Sequence, residues 1–312
     1  MDRLDAMAVL IASVEGGSLS AAGRRLGMPL PTVSRKISDL EGHLQARLLE
    51  RSTRKLTLTD AGRDYVAACK RILEQVDDAE RGAAGEYAAP RGALAISAPI
   101  VYGRLHVLPV VAEFLLAFPD VDVRLQLADR VVNLQEEHVD AALRIGALPD
   151  SLLIATPVGS IHRVTCASPA YLRKHGPLDH PRELSNHPCV TFDGIARPDS
   201  WTFEEQGSEF SVPVRSRMTV NTAEAAIDAA IAGLGVTRVL SYQMESARRS
   251  GQLAVRLAAF EAPPVPVSLV HAGRDLLPLK LRAFLDFAVP RLRQRCAAAP
   301  ATPRSAARPR KR

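Results

Sequence analysis

The stretch SLSAAGRRLGMPLPTVSRKISDLEGHLQARLLER, residues 18–51, predicts two helices joined by a tight turn. Ser18 is a favourable N-cap for the first helix, and Gly27 supplies the left-handed residue at which helices commonly end. Pro31 suits the first turn of the second helix, where a missing amide costs no hydrogen bond. Helical spacing gives this second helix one apolar face, formed by Val33, Ile37, Leu40 and Leu44.

The opposite face of the second helix is short, polar and cationic. It is formed by Pro31, Thr32, Ser34, Arg35 and Ser38. Small side chains let a helix approach base edges in a major groove, and hydroxyl and guanidinium groups hydrogen-bond to bases and phosphates. A solvated face is the alternative, but the small-residue helix before it and the basic segment after it favour a DNA-reading helix.

A two-stranded wing is predicted after the second helix. In RSTRKLTLT, residues 51–59, Leu56 and Leu58 alternate with threonines, while Arg54 and Lys55 lie at the turn. We expect Arg51, Arg54 and Lys55 to contact phosphates, as does Ser18 at the start of the preceding helix. A solvated turn is the alternative for either turn residue taken alone.

These motifs resemble those of the LysR-type transcriptional regulators, and SLSAAGRRLG, PTVSRKISDLE and LLERSTRKLTLTDAG carry the resemblance. It covers about residues 1–293. The resemblance implies an α/β protein with an N-terminal winged helix-turn-helix, a long linker helix and a two-lobed, periplasmic-binding-protein-like effector domain. Pro29 and Leu30 depart from the family pattern, which usually has polar residues there, and this departure affects the cap of the DNA-reading helix.

Two more helices are predicted on either side of this stretch. Apolar residues at helical spacing predict the first over Arg3–Glu15. The second starts from a cap on Thr59 or Asp60 and continues to about Glu86. Its apolar seam consists of Tyr65, Cys69, Ile72, Val76, Ala79 and Ala83. Such a seam packs either on a second copy or on its own domain, and the resemblance implies a dimer.

Strand and helix patterns alternate from residue 91 onward, which indicates a parallel or mixed α/β sheet. A helix is predicted over Leu105–Phe118, with an inward face formed by Leu108, Val111, Leu115 and Phe118. Two chain crossings between lobes create a cleft. The predicted organisation is a winged helix-turn-helix at 1–58, a linker and dimerisation helix with hinge at 59–90, an effector-binding domain at 91–293 (lobe I about 91–162 and 265–293, lobe II about 163–264), and a basic disordered tail at 294–312.

The resemblance places a small-molecule effector in that cleft. The turn after the first strand is expected to offer backbone amides to an anionic group; it comprises Ala98, Pro99, Ile100 and Val101. The resemblance adds Arg144, Ile145, Phe192 and Asn221 to the cleft, with a packing role as the alternative for each. Arg144 ends an apolar strand and requires an anionic partner, either Asp140 or a bound carboxylate.

The composition, 47% hydrophobic and 24% charged, is that of a soluble globular protein. Most of the net charge of +6 comes from residues 297–312, which hold five basic and no acidic side chains. The net charge of the whole chain is therefore weak evidence for nucleic-acid binding. The local balance over residues 17–60, with eight basic and four acidic side chains, is the better indicator. We expect a cytoplasmic homodimer or homotetramer that binds double-stranded promoter DNA and no membrane.

Other function classes find little support in the sequence. There is no HExxH, no GxSxG and no Gly-rich phosphate loop after a strand, so no catalytic residue, metal or cofactor is expected. Two lobes also suit a solute-binding protein, but no signal-peptide pattern is present. The cysteines, Cys69, Cys166, Cys189 and Cys296, are expected to be reduced and structural. A redox pair of Cys166 with Cys189 is the alternative.

Overall fold

The computed structural model describes residues 2–51, 56–83, 89–148, 152–192, 199–273 and 277–297. The chain divides into two compact units, Met1–Gly92 and Ala93–Arg312. Each is built around its own hydrophobic core.

Helices dominate the first unit. In its described residues the elements are α1 (Arg3–Glu15), α2 (Leu19–Leu26), α3 (Leu30–Leu44), β1 (Leu49–Arg51), β2 (Leu56–Leu58) and α4 (Asp60–Ala83). The strands β1 and β2 pair antiparallel, with Leu49 opposite Leu58, so the wing is confirmed. The predicted bounds of α1 are confirmed as well.

Local chemistry fixes the ends of α2 and α3. The Ser18 hydroxyl accepts a hydrogen bond from the Ala21 amide at 3.1 Å, and Gly27 ends α2 in the left-handed region with φ 65°. Pro29 caps α3 without a side-chain hydrogen bond. Helix α3 therefore begins on the fixed φ of proline rather than on a polar cap.

The core of the first unit lies beneath α3. Val33, Ile37 and Leu40 are fully buried and pack with apolar side chains of α1 and with Leu48. At the base of α4, the Thr59 hydroxyl accepts from the Gly62 amide at 2.9 Å. Gly62 lies so near the wing that a Cβ atom there would stand 2.0 Å from the Leu48 carbonyl oxygen, so only glycine fits.

The second unit contains two five-stranded mixed sheets and a hairpin. In its described residues the strands are β3 (Gly92–Ala98), β4 (Val121–Leu127), β5 (Ala141–Ile145), β6 (Leu153–Ile161), β7 (Arg163–Ala167), β8 (Pro188–Phe192), β9 (Ser200–Glu205), β10 (Ser208–Pro213), β11 (Arg215–Val220), β12 (Val236–Leu240), β13 (Ala254–Arg256) and β14 (Val265–Ala272). The helices are α5 (Ile100–Tyr102), α6 (Leu108–Ala117), α7 (Pro169–His175), α8 (Ala223–Ile231), α9 (Ser241–Arg249) and α10 (Leu279–Ala297).

The strand orders are β4-β3-β5-β14-β6 and β11-β8-β12-β7-β13. The chain leaves the first sheet where β6 ends, next to the start of β7, and returns to it with β14. These two crossings between the sheets, and hence the mixed α/β fold, agree with the prediction.

The predicted helix over Leu105–Phe118 begins earlier and is not regular. Helical structure starts at Ile100 and includes a π-helical turn over Gly103–Val107 before α6. A π turn adds a residue and rotates the apolar stripe that follows. The predicted inward face is wrong at Leu108, which is 46% exposed, and is confirmed at Val111, which is buried. Leu115 and Phe118 are partly buried against the same core.

Ile100–Ala117 is the one helical stretch of the described residues that is long and apolar enough to cross a membrane. Its buried side chains pack instead against α10, where the Phe114 and Phe284 rings meet edge-on at 5.3 Å. The stretch is thus a core helix of this unit.

The predicted tail starts too early. Helix α10 continues to Ala297, because Arg295 forms an ion pair with Glu113 at 3.6 Å and Cys296 packs against Gly159. Residues 298–312 lie outside the described residues.

Candidate nucleic-acid interface and ligand cleft

The polar face of α3 is open to solvent. Pro31, Arg35 and Ser38 are exposed, and Thr32 and Ser34 are half-buried at its flanks. The side chains of these five residues form no hydrogen bond or ion pair with another described residue. Their donors are therefore available to a ligand, while the opposite face anchors the helix in the core.

The remaining predicted DNA contacts border this face. Ser18 is half-buried and uses its oxygen to cap α2. Arg51 ends β1, but its side chain lies outside the described residues, as do Arg54 and Lys55 altogether. Lys36, on α3 itself, is ion-paired with Asp5 of α1 and so fixes the helix rather than extending the open face.

The seam of α4 divides into two halves. Near its start, Cys69 is fully buried and Tyr65 half-buried within the first unit. Farther along, Ile72 is 38% exposed and Ala79 is exposed. The start of the seam therefore packs within its own unit, whereas Ile72 and Ala79 are left exposed.

A cavity of about 200 Å³ lies between the two sheets of the second unit. Of the predicted cleft residues, its wall includes Ala98, Pro99, Arg144, Ile145 and Phe192. The structure thus brings together side chains from β3, β5 and β8, which lie on different sheets.

Three predicted cleft residues lie elsewhere or are already engaged. Val101 is 3% exposed in the hydrophobic core, and Asn221 is exposed and outside the cavity wall. The Ile100 amide donates to the Asp129 carboxylate at 3.0 Å. An anionic ligand at this turn would have to displace the Asp129 carboxylate. The prediction that the backbone amides of the turn bind an anion therefore does not fit this structure.

Asp140, one of the two predicted partners of Arg144, is engaged elsewhere. The Arg144 guanidinium donates to the Val132 carbonyl oxygen, while Asp140 accepts from the Ala95 amide at 2.8 Å. Burial lowers the pKa of the Arg144 guanidinium. The charge of Glu137 offsets part of this effect, but Arg144 has no ion-pair partner among the described residues and retains N–H donors at the cavity wall.

A second arginine group lines the cavity from the other sheet. Arg238 and Glu261 form an ion pair whose side chains are 5% and 6% exposed. The Thr165 hydroxyl donates to the same carboxylate at 2.8 Å. Arg163 lies two residues before Thr165 and pairs with Leu240 of β12. Burial lowers the pKa of the Arg163 guanidinium, and the nearby charge of Arg238 lowers it further.

Comparison with known proteins identifies the chain. Residues 4–63 match the profile described as bacterial regulatory helix-turn-helix protein, lysR family, and residues 88–293 match the LysR substrate binding domain. The chain belongs to the LysR family of transcriptional regulators.

Similar proteins include both repressors and activators. An HTH-type transcriptional repressor of Pseudomonas aeruginosa is 34% identical over 92% of this chain and 91% of its own length. The HTH-type transcriptional activator AaeR of Escherichia coli is 31% identical over 92% of this chain and 93% of its own. Among solved structures, CrgA of Neisseria meningitidis is 29% identical with TM-score 0.59, covering 92% of this chain and 98% of that one.

Sequence reasoning missed part of the regulator's cleft, namely Asp129, Arg163, Arg238 and Tyr242. The signal for the arginines was present, because both lie in apolar strands, in RVTCA and VTRVL, just as Arg144 lies in AALRI. Glu261 had no comparable signal, since it follows the short 3-10 helix Ala258–Phe260 instead of lying in an apolar strand.

The cysteines support a structural role. Cys166 on β7 and Cys189 on β8 flank β12 in one sheet. Two strand spacings separate them by about 10 Å, beyond disulfide reach. Burial raises the pKa of both thiols to about 12. A disulfide between Cys166 and Cys189 is therefore excluded in this fold. Among the described residues, no cluster of His, Cys, Asp and Glu side chains could hold a metal ion.

Proposed function

We propose that this regulator binds double-stranded promoter DNA by inserting α3 into the major groove. The observation that carries the proposal is the asymmetry of α3, which is fully buried along one face and open, polar and cationic along the other. In this proposal the base-facing residues are Pro31, Thr32, Ser34, Arg35 and Ser38. The phosphate contacts are Ser18, Arg51, Arg54 and Lys55.

Replacing Arg35 with alanine tests the proposal. We expect operator affinity to fall by about 1–3 kcal/mol, roughly 5- to 150-fold. Thermal stability should stay unchanged, because Arg35 is exposed and forms no hydrogen bond or ion pair with another described residue. Fluorescence anisotropy with the DNA upstream of the gene measures affinity. Arg249→Ala, which removes the same charge from an exposed site in the second unit, is the control. Equal affinities of the two variants would contradict the proposal.

The assembly that we propose is a homodimer, or a tetramer made from two dimers. The exposed half of the α4 seam, around Ile72 and Ala79, supports a helix–helix contact between copies. Two copies are needed to read two half-sites of an operator. We further propose 1–58 as the DNA-binding domain, 59–90 as linker and 91–293 as effector domain, with the tail now starting after Ala297.

The proposed mode of control is a population shift. A small molecule in the cleft favours the closed arrangement of the two lobes, which alters dimer packing and the spacing of the DNA-binding heads. This requires the ligand to bind one lobe arrangement more tightly than the other. We propose that the cleft ligand is released unchanged, so the chain is not an enzyme, and that the regulator acts in the cytoplasm, where promoter DNA is accessible.

A further inference from the structure

The cleft holds more positive than negative charge among its described residues. Two of the charged wall residues are neutralised, because Arg130 pairs with Glu137 and Arg238 pairs with Glu261. Three others remain: Arg144, Arg163 and Asp129.

The three remaining groups differ in their exposure to water. Asp129 is exposed, so solvent screens its charge, whereas Arg144 and Arg163 are half-buried. Neither arginine forms an ion pair with a carboxylate of the described residues. A half-buried cation without a direct ion-pair partner is unfavourable, and an anionic ligand in contact with it lowers that cost.

The two arginines belong to opposite sides of the cleft. Arg144 lies on β5, opposite Ser268 of the first sheet, and Arg163 begins β7 of the second sheet. Glu261 is held by Arg238 and Thr165, so it is not free to serve as the full partner of Arg163. One carboxylate bound to both Arg144 and Arg163 would link the two sheets.

Apart from its charged groups and the polar Ser97 and Gln243, the wall of the cavity is apolar, and the space is small. Its larger apolar side chains include those of Ile145, Phe192, Leu240, Tyr242 and Val265. The volume of about 200 Å³ is below that of pockets for drug-sized ligands. The space therefore fits a ligand with a compact body and a single carboxylate that both arginines share.

We propose that the effector is a small monocarboxylate with an apolar body, whose carboxylate is bound between Arg144 and Arg163. This inference rests on the proposed function, because it specifies the ligand that acts through the cleft. It assigns the binding of the anion to two side chains from different sheets rather than to the backbone amides of the Ala98–Val101 turn.

Calorimetric titration of the full-length protein tests this ligand class. The probes are benzoate and 3-methylbutanoate, each compared with its neutral amide, and phthalate as the dianion. We expect at least one monocarboxylate to bind, and its amide and phthalate to bind at least about tenfold more weakly. Amide binding equal to that of the acid, preferred binding of phthalate, or no binding of either acid at millimolar concentration would overturn the proposal.

Substitutions of the two arginines test whether they bind the carboxylate. Arg163→Gln and Arg144→Gln should each weaken binding of the carboxylate at least about tenfold, and Arg249→Gln, at an exposed site, should not. Arg163→Gln also removes repulsion with Arg238, so we expect its unliganded melting temperature to be unchanged or higher. Unaltered affinity in Arg163→Gln and Arg144→Gln would contradict the assignment.

Gel shifts of the unliganded proteins separate this inference from the proposed function. Retained DNA binding without carboxylate binding would refute the ligand class alone. Carboxylate binding without DNA binding would refute the proposed function alone.

Discussion

Replacing Glu261 with alanine will destabilise the second unit by about 3–5 kcal/mol. Glu261 is almost fully buried, and its carboxylate accepts from Arg238 and Thr165. Its removal leaves the buried Arg238 charge without a partner and beside the positive charge of Arg163. Native-state amide exchange in β7 and β12 of the full-length protein measures the loss directly.

Glu245→Ala is the matched control for this prediction. Glu245 pairs with Arg248 and Arg249 on the surface of α9, where both arginines are largely exposed. Surface pairs of this kind contribute at most about 1 kcal/mol. Similar losses of stability in Glu245→Ala and Glu261→Ala would show that the buried contacts of Glu261 with Arg238 and Thr165 do not stabilise the fold as described.

Ile37→Ala will destabilise the first unit by about 2–5 kcal/mol, because Ile37 is fully buried beneath α3 and its truncation leaves a cavity. Amide exchange in α3 should accelerate accordingly. Ile37→Val, which removes a single methylene, should cost about 0.5–1.5 kcal/mol. Identical exchange rates in wild type and Ile37→Ala would contradict the assignment of this face to the core.

Local sequence signals predicted the first unit well. The cap at Ser18, the left-handed Gly27 and the apolar spacing of α3 act within a few residues of each other, so they can be read directly from the sequence. The π turn over Gly103–Val107 could not be read in this way. A prediction from helical periodicity assumes one constant repeat, and Leu108, directly after the π turn, is the predicted core residue that faces outward.

The cleft was harder to predict because long-range pairing assembles it. Thr165 and Glu261, which share a hydrogen bond, are 96 residues apart in sequence, and Arg238 joins them only because β12 pairs with β7. Arg144 was recognised as a charge needing a partner, but the sequence does not show that Asp140 is occupied by the Ala95 amide.

The central claim is that the open face of α3 reads the major groove. Methylation interference on the upstream DNA is its most direct test. Methylation of guanine N7 places a group in that groove alone. We predict that methylated guanines block binding in two clusters about one helical turn, or a multiple of it, apart, and that Arg35→Ala loses interference at one position in each. Binding that is insensitive to guanine N7 methylation, or an unchanged pattern with Arg35→Ala, would contradict the account.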